Sequence, residues 1–236
     1  MPSDVRFDRA RRGFVCRASR RSYRGITKLI AALCVRRSTL HRPRAPRAKA
    51  RARKSVYGLA GGCRVDSAIT RAVRAGRERD AACPEVGLFF AELRRHRLEA
   101  VEAQYVVWCD DSGIATSIDV VARRQSDGGV VVLEVKCGYD GSWDVAHGGL
   151  RGPGRALQNS PRVLAFVQAC VGADLLASVA DEPPKDVAVV RILRSGASLE
   201  FVPQSVLRRM DGVCKYLRRA GGAADSGGGA PAASGG

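Results

Sequence analysis

Apolar positions recur along the chain in two periods. Over residues 65–76, Val65, Ile69, Ala72 and Val73 fall in helical phase, and Asp66 sits in the first turn, where the helix dipole favours an acid. A second helix is predicted over 86–97, with Leu88, Phe89 and Leu93 on its apolar stripe. The pattern then becomes strand-like. Residues 100–109 (AVEAQYVVWC), 115–123 (ATSIDVVAR) and 130–137 (VVVLEVKC) are rich in β-branched residues, and the last is bounded by glycine on both sides.

Residues 160–177 read as a long apolar helix opened by Ser160-Pro161, a side-chain cap followed by proline at the first helical position. Strands follow at 187–193 and 198–202, and a closing helix at 203–218. Three consecutive strands predict an antiparallel meander, and the helix after them predicts a crossover to a parallel strand. The expected fold is α/β: a mixed β-sheet flanked by helices, spanning residues 56–219.

Composition frames that core with two segments of another kind. Residues 1–54 carry 18 Lys or Arg against Asp4 and Asp8, a net +16, whereas the remaining 182 residues are nearly neutral at +1. Within residues 1–55, a stripe of Ile26, Leu29, Ile30 and Leu33 looks helical, but the tract 41–54 (HRPRAPRAKARARK) repels itself and cannot bury a core. The segment is expected to be a largely disordered basic arm. It reads as a phosphate-binding arm through Arg44, Arg47, Lys49, Arg51, Arg53 and Lys54, as a nuclear import or transit signal, or as a solvated linker. Residues 220–236 are Gly, Ala and Ser with little apolar bulk and are expected to be disordered.

No run of about 18 apolar residues occurs, so no transmembrane helix is expected. Neither is a secretory signal. The eight cysteines are scattered without a C-x-x-C pair, which disfavours a zinc ribbon and indicates reduced thiols in an intracellular setting.

The chemistry concentrates on two of the strands. Asp119 in Ile118-Asp119-Val120-Val121 and Glu134 and Lys136 in Leu133-Glu134-Val135-Lys136 are ionisable groups inside apolar strands, where charges persist only when paired or bound. With Asp127-Gly128 as a two-residue hairpin turn, Asp119 faces Lys136 and Glu134 faces Val121. The two acids are then diagonal neighbours on one face, about 7–8 Å apart at the backbone. A four-residue loop over 126–129 keeps that register, whereas an odd-length loop puts Asp119 on the opposite face. Two carboxylates and an ammonium suit Mg²⁺ or Mn²⁺, a cation held by carboxylates, waters and phosphate oxygens. The bland alternative is a cross-strand ion pair on a solvated face, but residues 130–135 contain no polar side chain except Glu134.

This arrangement, Asp119 followed by Glu134-Val135-Lys136 on paired strands, resembles the signature of the PD-(D/E)XK nuclease superfamily. Gly138-Tyr139 after the lysine, and Gln168 within an apolar helical face, are similar to its exonuclease-like branch in phages, large DNA viruses and RecB-type nucleases. The resemblance covers roughly residues 56–193. It implies a restriction-endonuclease-like fold. Asp119, Glu134 and the carbonyl of Val135 would be metal ligands, Lys136 the catalytic lysine and Gln168 a site organiser. The implied activity is divalent-metal-dependent hydrolysis of DNA phosphodiesters by an exonuclease or a repair or recombination nuclease, in the nucleus or cytoplasm, which for a virus-encoded protein is that of the host cell.

The sequence departs from the pattern in two places: Ile118 precedes the aspartate instead of proline, and Gly172 stands where a tyrosine often follows the glutamine. Asp66, Glu78 and Glu92 are candidates for an upstream acid, with Asp66 preferred. The alternative function is a catalytically inactive nucleic-acid-binding protein of the same fold.

Overall fold

The computed structural model of the chain describes residues 4–8, 13–31, 58–139, 141–146 and 148–222. Its centre is a mixed, open eight-stranded sheet. The elements in chain order are β1 (Val5–Asp8), β2 (Gly13–Cys16), β3 (Ser22–Gly25), the one-turn α1 (Ile26–Leu29), α2 (Gly58–Arg74), α3 (Glu85–Arg95), β4 (Leu98–Cys109), β5 (Ile114–Arg124), β6 (Val130–Cys137), α4 (Pro161–Ala177), β7 (Asp186–Leu193), β8 (Gly196–Phe201) and α5 (Gln204–Gly222). The antiparallel β4-β5-β6 meander and the crossover through α4 into a parallel β7 follow the sequence expectation.

Helix α4 begins where its cap chemistry places it. Ser160 Oγ accepts from the Val163 N–H at 3.3 Å and Pro161 occupies the first turn. Two apolar clusters sandwich the sheet. One gathers Phe166, Val167, Leu175, Val189, Val213 and Leu217 beneath α4 and α5. The other gathers Val65, Ile69, Phe89, Leu93, Leu133 and Val190 beneath α2 and α3.

Two expectations change. The first concerns residues 1–55, read from their charge as an arm outside the folded body. Their first part is folded: β1, β2 and β3 form an antiparallel ribbon, and β3 pairs in parallel with β5 through Arg24↔Ile114 and Gly25↔Ala115. Val5, Phe14 and Tyr23 form a small core on Ala115, and Ile26, Leu29 and Ile30 enter the α4–α5 cluster. The predicted stripe is therefore covered by the body. Its charged neighbours Arg6 and Arg24 point outward, as alternation along a strand allows. The tract with Arg44, Arg47, Lys49, Arg51, Arg53 and Lys54, Leu33, and all but the first residues of the tail from 220 onward lie outside the described residues.

The second change is the β5–β6 register. The ladder pairs Val120 with Leu133 and Val121 with Val132, a shift of two residues from the expected hairpin. The loop is longer than two residues because it closes as an α-turn: Gly128 N–H bonds the Arg124 carbonyl at 2.8 Å, and Arg124 N–H bonds the Gly129 carbonyl at 2.9 Å. Gly128 takes φ +68°, and Asp127 Oδ1 accepts from the Gly129 N–H. A shift of two preserves side-chain parity. It brings Asp119 opposite Glu134 if the register continues one step.

Strand β5 also has a divided edge. Opposite β4, its residues 120–123 pair with β6, whereas Ile114 and Ala115 pair with β3. Residues 116–119 fall between the two ladders. The sheet forks there, and Asp119 stands at the fork.

Candidate functional site

At the fork the ladder between β5 and β6 gives way to a side-chain bond. Asp119 Oδ2 accepts from the Val135 N–H at 2.9 Å. It thus takes the place of a backbone carbonyl and fixes its own carboxylate beside Glu134. The Asp119 and Glu134 carboxyls are close enough to shift one another's proton affinity. Glu134 is only 4% exposed. Lys136, two residues on and therefore on the same face, donates to Glu134 Oε1 and, at 3.1 Å, to Gln168 Oε1 on α4. Asp119, Glu134, Lys136 and Gln168, singled out from sequence, are thus brought together by three elements. At Val135 the amide N–H faces this cluster.

Asp66 reaches the same place from α2. Its Oδ1 accepts from Gln104 Nε2 at 3.1 Å, and the same amide lies 3.4 Å from Asp119 Oδ1. Gln104 Oε1 in turn accepts from Ser117 Oγ at 2.8 Å. Of the three candidate upstream acids, Asp66 is the one at the site. Glu78 pairs with Arg94, and Glu92 is buried accepting from the Leu199 N–H at 2.9 Å. Glu99 and Glu102 on β4 are exposed.

Gln104 was not recognised from sequence. It lies in the interior of β4 with φ +54°, an uncommon conformation for a residue with a side chain and one that concentrates where a fold holds a group against its preference. The residues on either side of it, Ala103 and Tyr105, contribute to opposite apolar clusters, as do Ile118 and Val120 on the paired strand. The β4–β5 ribbon therefore turns over at Gln104 and Asp119. The only sequence trace is a polar amide among apolar neighbours, which gives no hint of a left-handed backbone.

Electrostatically the site holds three acids against one ammonium. Burial, then the neighbouring Asp119, pushes the Glu134 carboxyl from its ordinary 4.5 up to about 8. Burial and Asp119 likewise raise Asp66 to about 6, with Gln104 and Lys136 pulling the other way. Asp119 itself is raised by burial, against the opposing effects of Lys136 and the Val135 N–H. Burial alone depresses the Lys136 ammonium, but Glu134 and Asp119 outweigh it and its net shift is upward, which keeps it protonated. The cluster thus carries acid groups in excess, and a cation would relieve their repulsion. Among the described residues no group of three or more His, Cys, Asp or Glu side chains is closed tightly enough to hold a metal ion unaided. By donor chemistry Asp119 and Glu134 could hold a hard divalent cation only with waters or other oxygens completing its shell, and they lack the ligands of a closed zinc site.

The remaining candidates find structural roles. Gly172 packs against β5, where a Cβ would lie 3.4 Å from Ile118, so a tyrosine has no room there. Trp143 is buried against Tyr139 with ring centroids 5.6 Å apart, and the Arg191 guanidinium lies over the indole. Arg162 is engaged by Glu200 and Asp144. No protein-family model matches the chain, and no curated protein matches it.

Proposed function

We propose that this protein is a divalent-metal-dependent nuclease of the PD-(D/E)XK type that hydrolyses DNA phosphodiester bonds. The observation that carries the reading is the apposition of Asp119 and Glu134 at the sheet fork, with Lys136 hydrogen-bonded to both Glu134 and Gln168. The β4-β5-β6 meander followed by the α4 crossover to β7 resembles a restriction-endonuclease-like core. Asp119 and Glu134 would hold Mg²⁺ or Mn²⁺, with the Val135 carbonyl as a further ligand. The ion would supply a water of lowered pKa and neutralise charge on the scissile phosphate.

The chain's own residues have separable tasks. Gln168 orients the Lys136 ammonium. Lys136, held protonated by its acidic neighbours, steers the attacking water and stabilises negative charge developing on the phosphate. Gln104 on β4 holds Asp119 and ties it to Asp66 on α2.

A divalent-metal titration on linear and covalently closed DNA tests the reading. Cleavage should require Mg²⁺ or Mn²⁺, and Asp119→Asn or Lys136→Ala should lower kcat by about 10²–10⁴-fold. Metal-independent cleavage, or equal rates in Lys136→Ala and wild type, would remove the assignment. One observation favours a second reading, a binding protein without catalysis: the Lys136 ammonium is paired with Glu134, and among the described residues no group of three or more His, Cys, Asp or Glu side chains could hold a metal ion. That reading expects DNA binding with no cleavage under any metal.

A further inference from the structure

In the sequence the tract around Arg44–Lys54 reads as a phosphate-binding arm, a targeting signal or a solvated linker, and the body is nearly neutral. Four of the body's arginines nevertheless stand together. Where α2 ends, Arg71, Arg74, Arg77 and Arg79 line an open cleft of ≈ 600 Å³ whose single acidic wall residue is Asp80. The acids of this segment are already engaged, Asp80 with Arg71 at 3.6 Å and Glu78 with Arg94. Arg74 is anchored by donating to the Ala103 carbonyl at 3.2 Å. Arg77 and Arg79 are exposed, and their guanidinium groups have no partner among the described residues. Two unpaired guanidinium groups beside an anchored third form a receptor for multiply charged anions, because each offers a planar fork of donors matched to phosphate oxygens.

The cleft is tied to the candidate site by the helix that lines it. Asp66 and Arg74 lie on one α2 face, two turns apart, which at 1.5 Å per residue is about 12 Å. The Arg74 anchor, Ala103, adjoins Gln104, which bonds Asp66 and Asp119. At about 3.4 Å per nucleotide along one strand, 12 Å is roughly three to four nucleotides.

We propose that this arginine cleft holds the phosphodiester backbone three to four nucleotides from the scissile bond, so that the substrate is a nucleic-acid chain of at least that length and not a short diester. The inference rests on the nuclease reading for the position of the scissile bond, but binding at the cleft is measurable without cleavage.

The experiment uses the full chain with Arg77→Glu/Arg79→Glu, and Arg77→Gln/Arg79→Gln as the milder pair, each checked for an unaltered Tm. Fluorescence anisotropy in Ca²⁺ follows binding of a labelled trinucleotide and a labelled 12-nucleotide DNA between 50 and 200 mM salt, and Mn²⁺-dependent hydrolysis is followed on both. The penalty should grow with length: less than twofold on the trinucleotide and at least about tenfold on the 12-mer, in Kd and KM but not in kcat. The salt slope should fall by about two, one counterion for each lost phosphate contact. The glutamine pair should give a smaller change in the same direction. Equal 12-mer affinity in the variants and wild type overturns the cleft. Absence of cleavage by wild type overturns the nuclease reading alone, and the binding arm still decides the cleft.

Discussion

At Glu134 the physics of the site becomes a property of the whole protein's stability. In the unfolded chain this carboxyl releases its proton near 4.5; in the folded one burial and Asp119 delay release to about pH 8. Between those values the folded state binds the proton that the unfolded state has lost. Stability therefore falls as pH rises through the window, by an amount on the order of 1 kcal/mol or more. Asp66 adds in the same direction between 3.8 and about 6. Lys136 remains charged in both states across this range, so its attraction to the acids offsets part of the loss without reversing its sign. The Tm of metal-free protein should accordingly drop between pH 5 and pH 8. Glu134→Gln should flatten that drop. Gln104→Leu, which removes the amide donated to Asp66 and Asp119, should steepen it. A Glu134→Gln profile running parallel to wild type would mean that the carboxyl is not held protonated. Glu134 and Asp119 were legible in sequence because charge inside an apolar strand is anomalous on its face. Gln104 was not, because its signature is a backbone angle and its partners lie 13 to 38 positions away.

Elements were legible where their ends carry their own chemistry. The cap and proline of α4, and the glycines around β6, set boundaries that tertiary packing had no reason to move. The β5–β6 register was legible only in parity. The residues of the connecting loop allow both a two-residue turn and the longer α-turn, and the choice lies in hydrogen bonds that composition does not display. Helix α4 also shows how one position sets the distance between layers. Gly172 sits where a Cβ would meet Ile118 at 3.4 Å and Thr116 at 3.9 Å, an ordinary van der Waals approach. Alanine should therefore fit and recover helix propensity of about 0.5–1 kcal/mol. A tyrosine there would have to displace β5 at the strand that carries Asp119. Gly172→Ala should raise Tm modestly and leave cleavage intact. Gly172→Tyr should cost more than about 3 kcal/mol by denaturant unfolding. A tolerated tyrosine would show that α4 does not set the spacing of the fork.

For the molecule as a whole, net charge separated the chain into arm and body at residue 55, whereas the sheet draws the division differently. The strands VRFD, GFVC and SYRG are four residues each, with arginine within or beside every one, too short and too closely bounded by charge for a period-two pattern to stand out. Their docking partner on β5 lies about 90 positions away. Yet Val5, Phe14 and Tyr23 are at most 6% exposed, and Tyr23 Oη donates to Asp110 Oδ1 at 2.6 Å. A truncation through residue 54 consequently removes two things at once, a basic tract and three strands of the sheet. Any loss of activity on such a truncation cannot be assigned to charge. Deleting residues 1–31 alone isolates the strands. Burial of three large side chains contributes about 1.5–3 kcal/mol each before the ordering cost, so this deletion should lower Tm by at least about 5 °C. It should also open the β5 edge next to the fork and, on the proposed nuclease reading, slow hydrolysis of short and long DNA alike. Replacing Arg44, Arg47, Lys49, Arg51, Arg53 and Lys54 with serine isolates the charge and should act on DNA affinity through its salt slope. An unchanged Tm after deletion of residues 1–31 would mean that the eight-stranded sheet does not depend on its N-terminal ribbon, and the folded body would then begin at α2.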